Sequence, residues 1–474
     1  MKTPSHLDRR GSMPADAGDD APNTLAAPAT LDESSLTRSV IRLAWPVVIQ
    51  QLSFATVQLV DTFLVGHLGE DALAGVGVAS ILYWFPLSGM FAIGIGATAI
   101  VARNVGAGRR EQAEATLRSA QMLALAWGLV MGVVYFAAAE PMLRIMGTEP
   151  AAMDEGVEYM RAAAFGIPFY AVLYASTASL QGAGDTRTPM FIMVAVNLVN
   201  GVVDYVLING TGPFPEYGVQ GAGLGLLASS IAGVVLIYGA LLRKNSTLHL
   251  SPSKVLTIDR AETDRVLKIG LPAGAEQFQF QMAFLVYTRI IASLGTTALA
   301  AHQVVLRIEG LTFLPGFALG IAATTLVGQG LGAKRPDLAE KAAVSAARVA
   351  FVLMAVPGVI LMIFGEPITR LFINDDEVVD IGRKLLFIFA FALPALSISM
   401  SLGGALRGAG DTRAVLAIMS VGVWGVRLGP AYLLAVVAGL GVPGAWLAAI
   451  IDINTRAFLM LLRFRQGRWK RIDV

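Results

Sequence analysis

Apolar residues along this chain recur as long unbroken runs separated by short polar joints. Twelve runs can be traced, at about 40–65, 72–100, 117–139, 159–182, 189–209, 219–242, 266–292, 298–326, 342–365, 383–406, 414–437 and 442–463. Each is long enough to cross a hydrocarbon layer of ~30 Å as a helix. Helices are expected because only helices and closed barrels satisfy their backbone in lipid, and no series of short alternating strands is present. Residues 1–37 are polar, carry Asp16, Asp19 and Asp20, and lack apolar periodicity, so they read as a disordered tail. No apolar core of a cleavable signal follows the start, so none is expected.

The pattern also repeats. With an offset of 226, Pro46 meets Pro272, Leu68-Gly69 meets Leu294-Gly295, and Glu140-Pro141 meets Glu366-Pro367. Gly182-Ala183-Gly184-Asp185-Thr186-Arg187 meets Gly408-Ala409-Gly410-Asp411-Thr412-Arg413. Near the end the offset slips to 223, where Gly218-Val219 meets Gly441-Val442. Six helices per repeat is an even number, so both halves enter the membrane with the same polarity. The predicted fold is an all-α integral membrane protein with twelve transmembrane helices. They form two six-helix lobes related by a pseudo-twofold axis along the membrane normal. The expected units are an N-lobe over 38–242, a linker over 243–265, a C-lobe over 266–463 and a basic tail over 464–474. The GAGDTR segments look like turns, with Thr188 a candidate cap for the fifth helix and Pro189 in its first turn.

Composition agrees with the pattern. Hydrophobic residues make up 55% and charged residues 15% of the 474, with a mean hydropathy of +0.64. No soluble globule can bury that much apolar surface. The absence of cysteine excludes thiolate metal centres, disulfides and cysteine nucleophiles. No phosphate-binding GxxxxGK[ST] loop is present, and no His/Asp/Ser cluster suggests an enzyme, so neither an ATP-driven pump nor an enzyme is expected. Nothing suggests nucleic-acid binding. The net charge of +2 hides a spatial sorting. Lys and Arg gather in alternate loops and at the C-terminus, as at Arg109-Arg110, Arg243-Lys244, Lys334-Arg335 and Arg463 through Arg471. By the positive-inside rule both termini face the cytoplasm, with the chain in the inner membrane.

Ionisable side chains at membrane depth are the candidate site. Asp61 on the first helix and Asp204 on the fifth lie at matched depth in the outer half of the N-lobe. Asn200 and Asn197 share a face with Asp204. Two carboxylates and two carboxamides can bind a cation or share a proton. They can equally form a buried network that pins one helix to the other. At the 226 offset Asp61 corresponds to Tyr287 and Asp204 to Pro430, so ion coupling should concentrate in the first lobe. In the second lobe Tyr287, Glu309, Phe280 and Glu276 are candidates for a substrate cavity, Glu276 also for a gate. Glu309 could instead pair with Arg289 or Arg427. Asp452 and Arg456, spaced i, i+4, should neutralise each other as a structural pair. His302 reads as structural. Gly221–Gly225 and Gly316–Gly320 have the spacing of close helix packing.

Over residues 40–465 the chain resembles the multidrug and toxic compound extrusion (MATE) transporters. The resemblance rests on Val60-Asp61-Thr62, on Val65-Gly66-His67-Leu68-Gly69, on the paired GAGDTR segments, on Val327-Gly328-Gln329 and on the Asn200/Asp204 spacing. It implies export of amphipathic, often cationic small molecules in exchange for inward H⁺ or Na⁺, with no other cofactor, by a monomer among membrane lipids. It maps the family's first-helix carboxylate to Asp61 and its fifth-helix Asn and Asp to Asn200 and Asp204. Phe280 stands where the NorM type carries a helix-7 glutamate, and the tenth helix has no acid within it. The ion site therefore looks closer to DinF-like and archaeal-type members. A lipid or lipid-linked precursor flippase of related fold is the alternative, favoured by Arg289, Arg307 and Arg427.

Overall fold

The computed structural model describes residues 35–255, 257–472 and 474. Twelve helical spans follow in order. They are α1 (Leu36–Gly66), α2 (Glu70–Gly106), α3 (Arg110–Ala137), α4 (Pro150–Ala164 continued by Ile167–Gly182), α5 (Arg187–Asn209) and α6 (Gly218–Leu241). The second set is α7 (Arg260–Ala292), α8 (Thr296–Gly332), α9 (Pro336–Arg370), α10 (Asp376–Ala390 continued by Leu393–Gly408), α11 (Thr412–Val437) and α12 (Gly441–Arg465). No strand occurs among the described residues. The tail expected over 1–37 lies outside the described residues as far as 34, and Leu36 and Thr37 already belong to α1.

Nine of these spans are single helices long and apolar enough to cross a bilayer. Two more do so only as bent pairs, α4 by 53° and α10 by 51°. The sequence pattern treats each of these as one straight run, because apolarity is blind to a bend. The bends fall where Pro168 and Pro394 remove a backbone donor just after the break. The twelfth, α7, is the most polar, since Glu262, Arg265, Lys268, Glu276, Gln277, Gln279 and Gln281 interrupt its apolar face.

The repeat is geometric as well as textual. Thr98 Oγ1 donates to the Ala178 carbonyl at 2.9 Å, and Thr324 Oγ1 to the Gly404 carbonyl at 2.8 Å, the same bond shifted by 226. Gly184 and Gly410, at equivalent places in the GAGDTR turns, take φ values of 91° and 85°. The turn reading of those segments holds, with one correction. Thr188 does not cap α5. Asp185 does, its Oδ1 accepting from the Thr188 N–H at 3.0 Å. In the second turn Asp411 is held by Arg463 of α12 at 2.7 and 3.1 Å.

The lobes meet at the end of the bundle that carries the basic loops. A Cβ on Gly106 would lie 2.0 Å from the Gln329 carbonyl, and one on Gly332 would lie 2.0 Å from the Arg103 carbonyl. These contacts are one contact and its image, since 106 and 103 become 332 and 329 under the offset. The pseudo-axis therefore passes between α2 and α8, and only glycine lets the two backbones approach so closely. Thr325 Oγ1 to the Gln181 carbonyl, 2.9 Å, and Gln329 Nε2 to the Gly182 carbonyl, 3.1 Å, add hydrogen bonds across the same seam.

The first helix of each repeat is shared between lobes. The basic-end half of α1, through Leu43 and Val47, packs into a core shared with α8, α9, α10 and α12 of the second repeat. The basic-end half of α7, through Val266 and Ile269, packs into the first-repeat core. Its far half, through Ala283, Tyr287 and Ile291, returns to the second-repeat core.

Candidate functional site

The far half of α1 lies along α5, and this contact builds the N-lobe polar cluster. Asp204 is 1% exposed and Asn200 3%. Asn200 Nδ2 donates to Asp204 Oδ2 at 2.9 Å, as their i, i+4 spacing allows. Asp61 of α1 stands beside the Asp204 carboxyl. Asp61 Oδ1 and Asp204 Oδ1 are both buried and neither has a hydrogen-bond partner. Buried polar atoms are nearly always satisfied. Two facing carboxyls with unsatisfied oxygens therefore form a ready receptor for a proton or a cation. Asn197 stands one turn away and takes a different role, its Nδ2 donating to Ser53 Oγ of α1 at 2.7 Å.

The fourth wall of the cluster is Gly225 of α6. A Cβ there would lie 1.5 Å from Asp204 Oδ1 and 3.2 Å from Asn200 Nδ2. The Gly221–Gly225 spacing thus does more than bring two helices together. Gly221 meets the α5 backbone at Leu207 and Ile208, whereas Gly225 clears the space into which the carboxyl fits. Neither Gly225 nor Ser53 was identified from sequence as part of the cluster. The GxxxG spacing was the available signal for the first, and Ser53 offered none.

The second lobe buries a different set. Asp452, fully buried, meets Arg427 Nε at 2.8 Å and Arg456 Nε at 2.8 Å. The expected Asp452–Arg456 pair is present, with a third member that the i, i+4 rule cannot foresee. Arg427 also lies over the Tyr287 ring, 5.6 Å from its centroid. It sits in a π-helical stretch, Val421–Leu428, where the widened turn changes which face a side chain presents. Glu309 makes no ion pair with a described residue, so pairing with Arg289 or Arg427 is not what the structure shows. Arg427 is already held by Asp452, and Arg289 and Arg307 are exposed. Glu276 is paired with Arg407 of α10. Phe280 packs against the C-lobe core, and Tyr287 is 3% exposed within it. His302 is enclosed between Tyr287 and Trp446, accepting from the indole Nε1 at 3.3 Å.

Replacing Asp452 with Asn would leave the buried Arg456 and the partly buried Arg427 guanidinium groups without the carboxylate that holds both. The expected loss is about 3–5 kcal/mol of stability, read as a lower melting temperature in detergent, and Glu309→Gln should cost much less.

Against known proteins, the MatE family model matches residues 46–206 and 272–433, one copy per repeat. The chain belongs to the MatE family. Over 449 residues it is 30% identical to the "Probable multidrug resistance protein NorM" of Thermotoga maritima, covering 93% of this chain and 94% of that one. Its fold is that of a MOP superfamily transporter from Pyrococcus furiosus, with a TM-score of 0.86 at 22% identity over 94% of this chain and all of that one. It is equally that of the Vibrio cholerae MATE transporter VcmN in its bent form, with a TM-score of 0.84 at 21% identity over 92% and 97%. The family's two-lobe arrangement of twelve helices is thus the arrangement here, and the chain is a multi-pass membrane transporter rather than an enzyme.

Proposed function

We propose that this MatE-family chain is a secondary antiporter that exports amphipathic, cationic small molecules in exchange for inward H⁺ or Na⁺ by alternating access. On this reading the basic end faces the cytoplasm, which the distribution of Lys and Arg supports, and the membrane is the bacterial inner membrane. The observation that carries the reading is the Asp61–Asp204 pair with its two unsatisfied oxygens. In low dielectric two charged carboxylates in contact repel strongly. Ion entry relieves that repulsion and ion release restores it, so occupancy and the α1–α5 contact are linked. Because the cytoplasmic half of α1 is packed against α8 and α9, a change at Asp61 bears directly on the seam between lobes. The lobe seam closed at the basic end and the coupling pair in the opposite half describe one state of such a cycle.

The ion site is closer to the DinF-like and archaeal type on this reading, which the lack of an equivalent acidic pair in the second lobe supports. In the second lobe Glu309, which makes no ion pair with a described residue, is the carboxylate left for a cationic substrate. The flippase reading is weaker. Of the three arginines that favour it, Arg427 is engaged by Asp452 and supplies no free positive charge for a phosphorylated headgroup, which leaves only the exposed Arg289 and Arg307. The test is efflux of a fluorescent cation from proteoliposomes under an imposed pH gradient and, separately, an imposed Na⁺ gradient. Accumulation driven by neither would defeat the antiport reading.

A further inference from the structure

Beyond α12 the described residues stay against the protein. Gly467, at φ 68°, turns the chain back beneath the bundle. Trp469 is fully buried, stacked on Phe464 at 4.9 Å with its Nε1 donating to the Phe464 carbonyl at 2.8 Å. Lys470 Nζ lies 2.5 Å from Glu340 Oε2 of α9. These contacts anchor the segment to the second repeat. It then crosses the seam. The Ile472 carbonyl accepts from Arg103 Nη1 of α2 at 2.7 Å. The Val474 carbonyl accepts from Arg265 Nη2 of α7 at 2.7 Å. Arg265 in turn holds Glu262 at 2.6 Å, and Glu262 accepts from Thr116 Oγ1 of α3 at 2.7 Å. The Val474 side chain sits over Gly410, where a Cβ would come within 2.6 Å of it.

Arg103 also supplies the backbone carbonyl that Gly332 approaches across the seam. The strap is therefore fastened at the place where α2 and α8 must separate if the cytoplasmic side is to open. We infer that the segment after α12, through its described residues 466–472 and 474, is a cytoplasmic latch. It holds the two repeats together in the closed arrangement and releases Arg103 each time the lobes part. The inference rests on the alternating-access reading for its purpose, but its geometry is independent of the coupling ion and of the substrate.

The chain has no cysteine, so single cysteines can be introduced for spin labels at Gln112 on α3 and Asp337 on α9, both exposed at the cytoplasmic end. Distances are measured in lipid without substrate or gradient, in the parent chain and in Arg103→Gln and Lys470→Ala. A hydrogen bond from a charged donor is lost in the first, so the ratio of long to short distances should rise about tenfold, and Lys470→Ala should raise it less. Unchanged distance distributions in both variants would overturn the latch. So would a shift seen only in Arg103→Gln and only together with a lower melting temperature, because that would make the strap a structural prop. Lys470 lies outside the packed core, so its variant keeps the test valid if Arg103→Gln folds poorly. Since no transport is measured, failure of the antiport reading leaves these outcomes unaffected.

Discussion

Asp61→Asn should abolish ion-driven accumulation while leaving the fold intact. The substituted amide has the shape of the carboxyl and supplies an N–H to the Asp204 oxygen that lacks a partner. The melting temperature should therefore hold or rise slightly. It cannot exchange a proton, and it removes one of the two charges a cation would neutralise. With one proton entering per monovalent cation expelled, the membrane potential cancels, and each unit of pH gradient supports about a tenfold concentration ratio of substrate. The parent chain should approach that ratio in proteoliposomes, and the variant should remain near one. Full gradient-driven accumulation by Asp61→Asn at equal reconstitution would remove Asp61 from the coupling site. Downhill exchange can survive in the variant, because it does not require the pair to change its charge.

The architecture could be read from the sequence because the repeat fixes it twice. The boundaries Pro150, Ala164, Ile167 and Gly182 recur as Asp376, Ala390, Leu393 and Gly408, each shifted by 226. A register that long survives only where both copies fold alike. Asn200 and Asp204 could also be placed together, since helix periodicity alone puts them on one face. Legibility ended where contacts depend on the path of a second helix. Membrane depth alone makes Glu309 a candidate partner for Arg427, yet Asp452 of α12 reaches that guanidinium instead. The π-helical stretch around Arg427 rotates it out of the register that an ideal helix predicts. Ser53 bonds Asn197 across α1 and α5, and a lone serine in an apolar run gives no sign of that. The exchange of the basic-end halves of α1 and α7 between lobes was hidden for a related reason. Hydropathy reports that a helix is buried, not which lobe buries it.

Gly225→Ala tests the site without touching a charge. In the parent chain Asp204 Oδ1 occupies the space where the new methyl group would sit, 1.5 Å away. No real contact is that short, so the carboxyl must swing aside or α6 must retreat from α5. Either movement breaks the Asn200–Asp204 hydrogen bond or draws Asp204 away from Asp61. Overpacking of this kind costs roughly 1–3 kcal/mol, small enough for the protein to insert and fold. The effect on coupling should be far larger, because the two carboxyls no longer face each other, and gradient-driven accumulation should fall by at least about tenfold. Gly239→Ala on the same helix is the control. Nothing lies within 4 Å of its Cβ position, and alanine is the better helix former by up to ~1 kcal/mol, so both transport and stability should be retained. Parallel losses in the two variants would mean that α6 simply tolerates no added methyl group. Loss in Gly225→Ala alone, with Asp204 and Asp61 chemically intact, would show that coupling depends on the placement of the acids as well as on their charge.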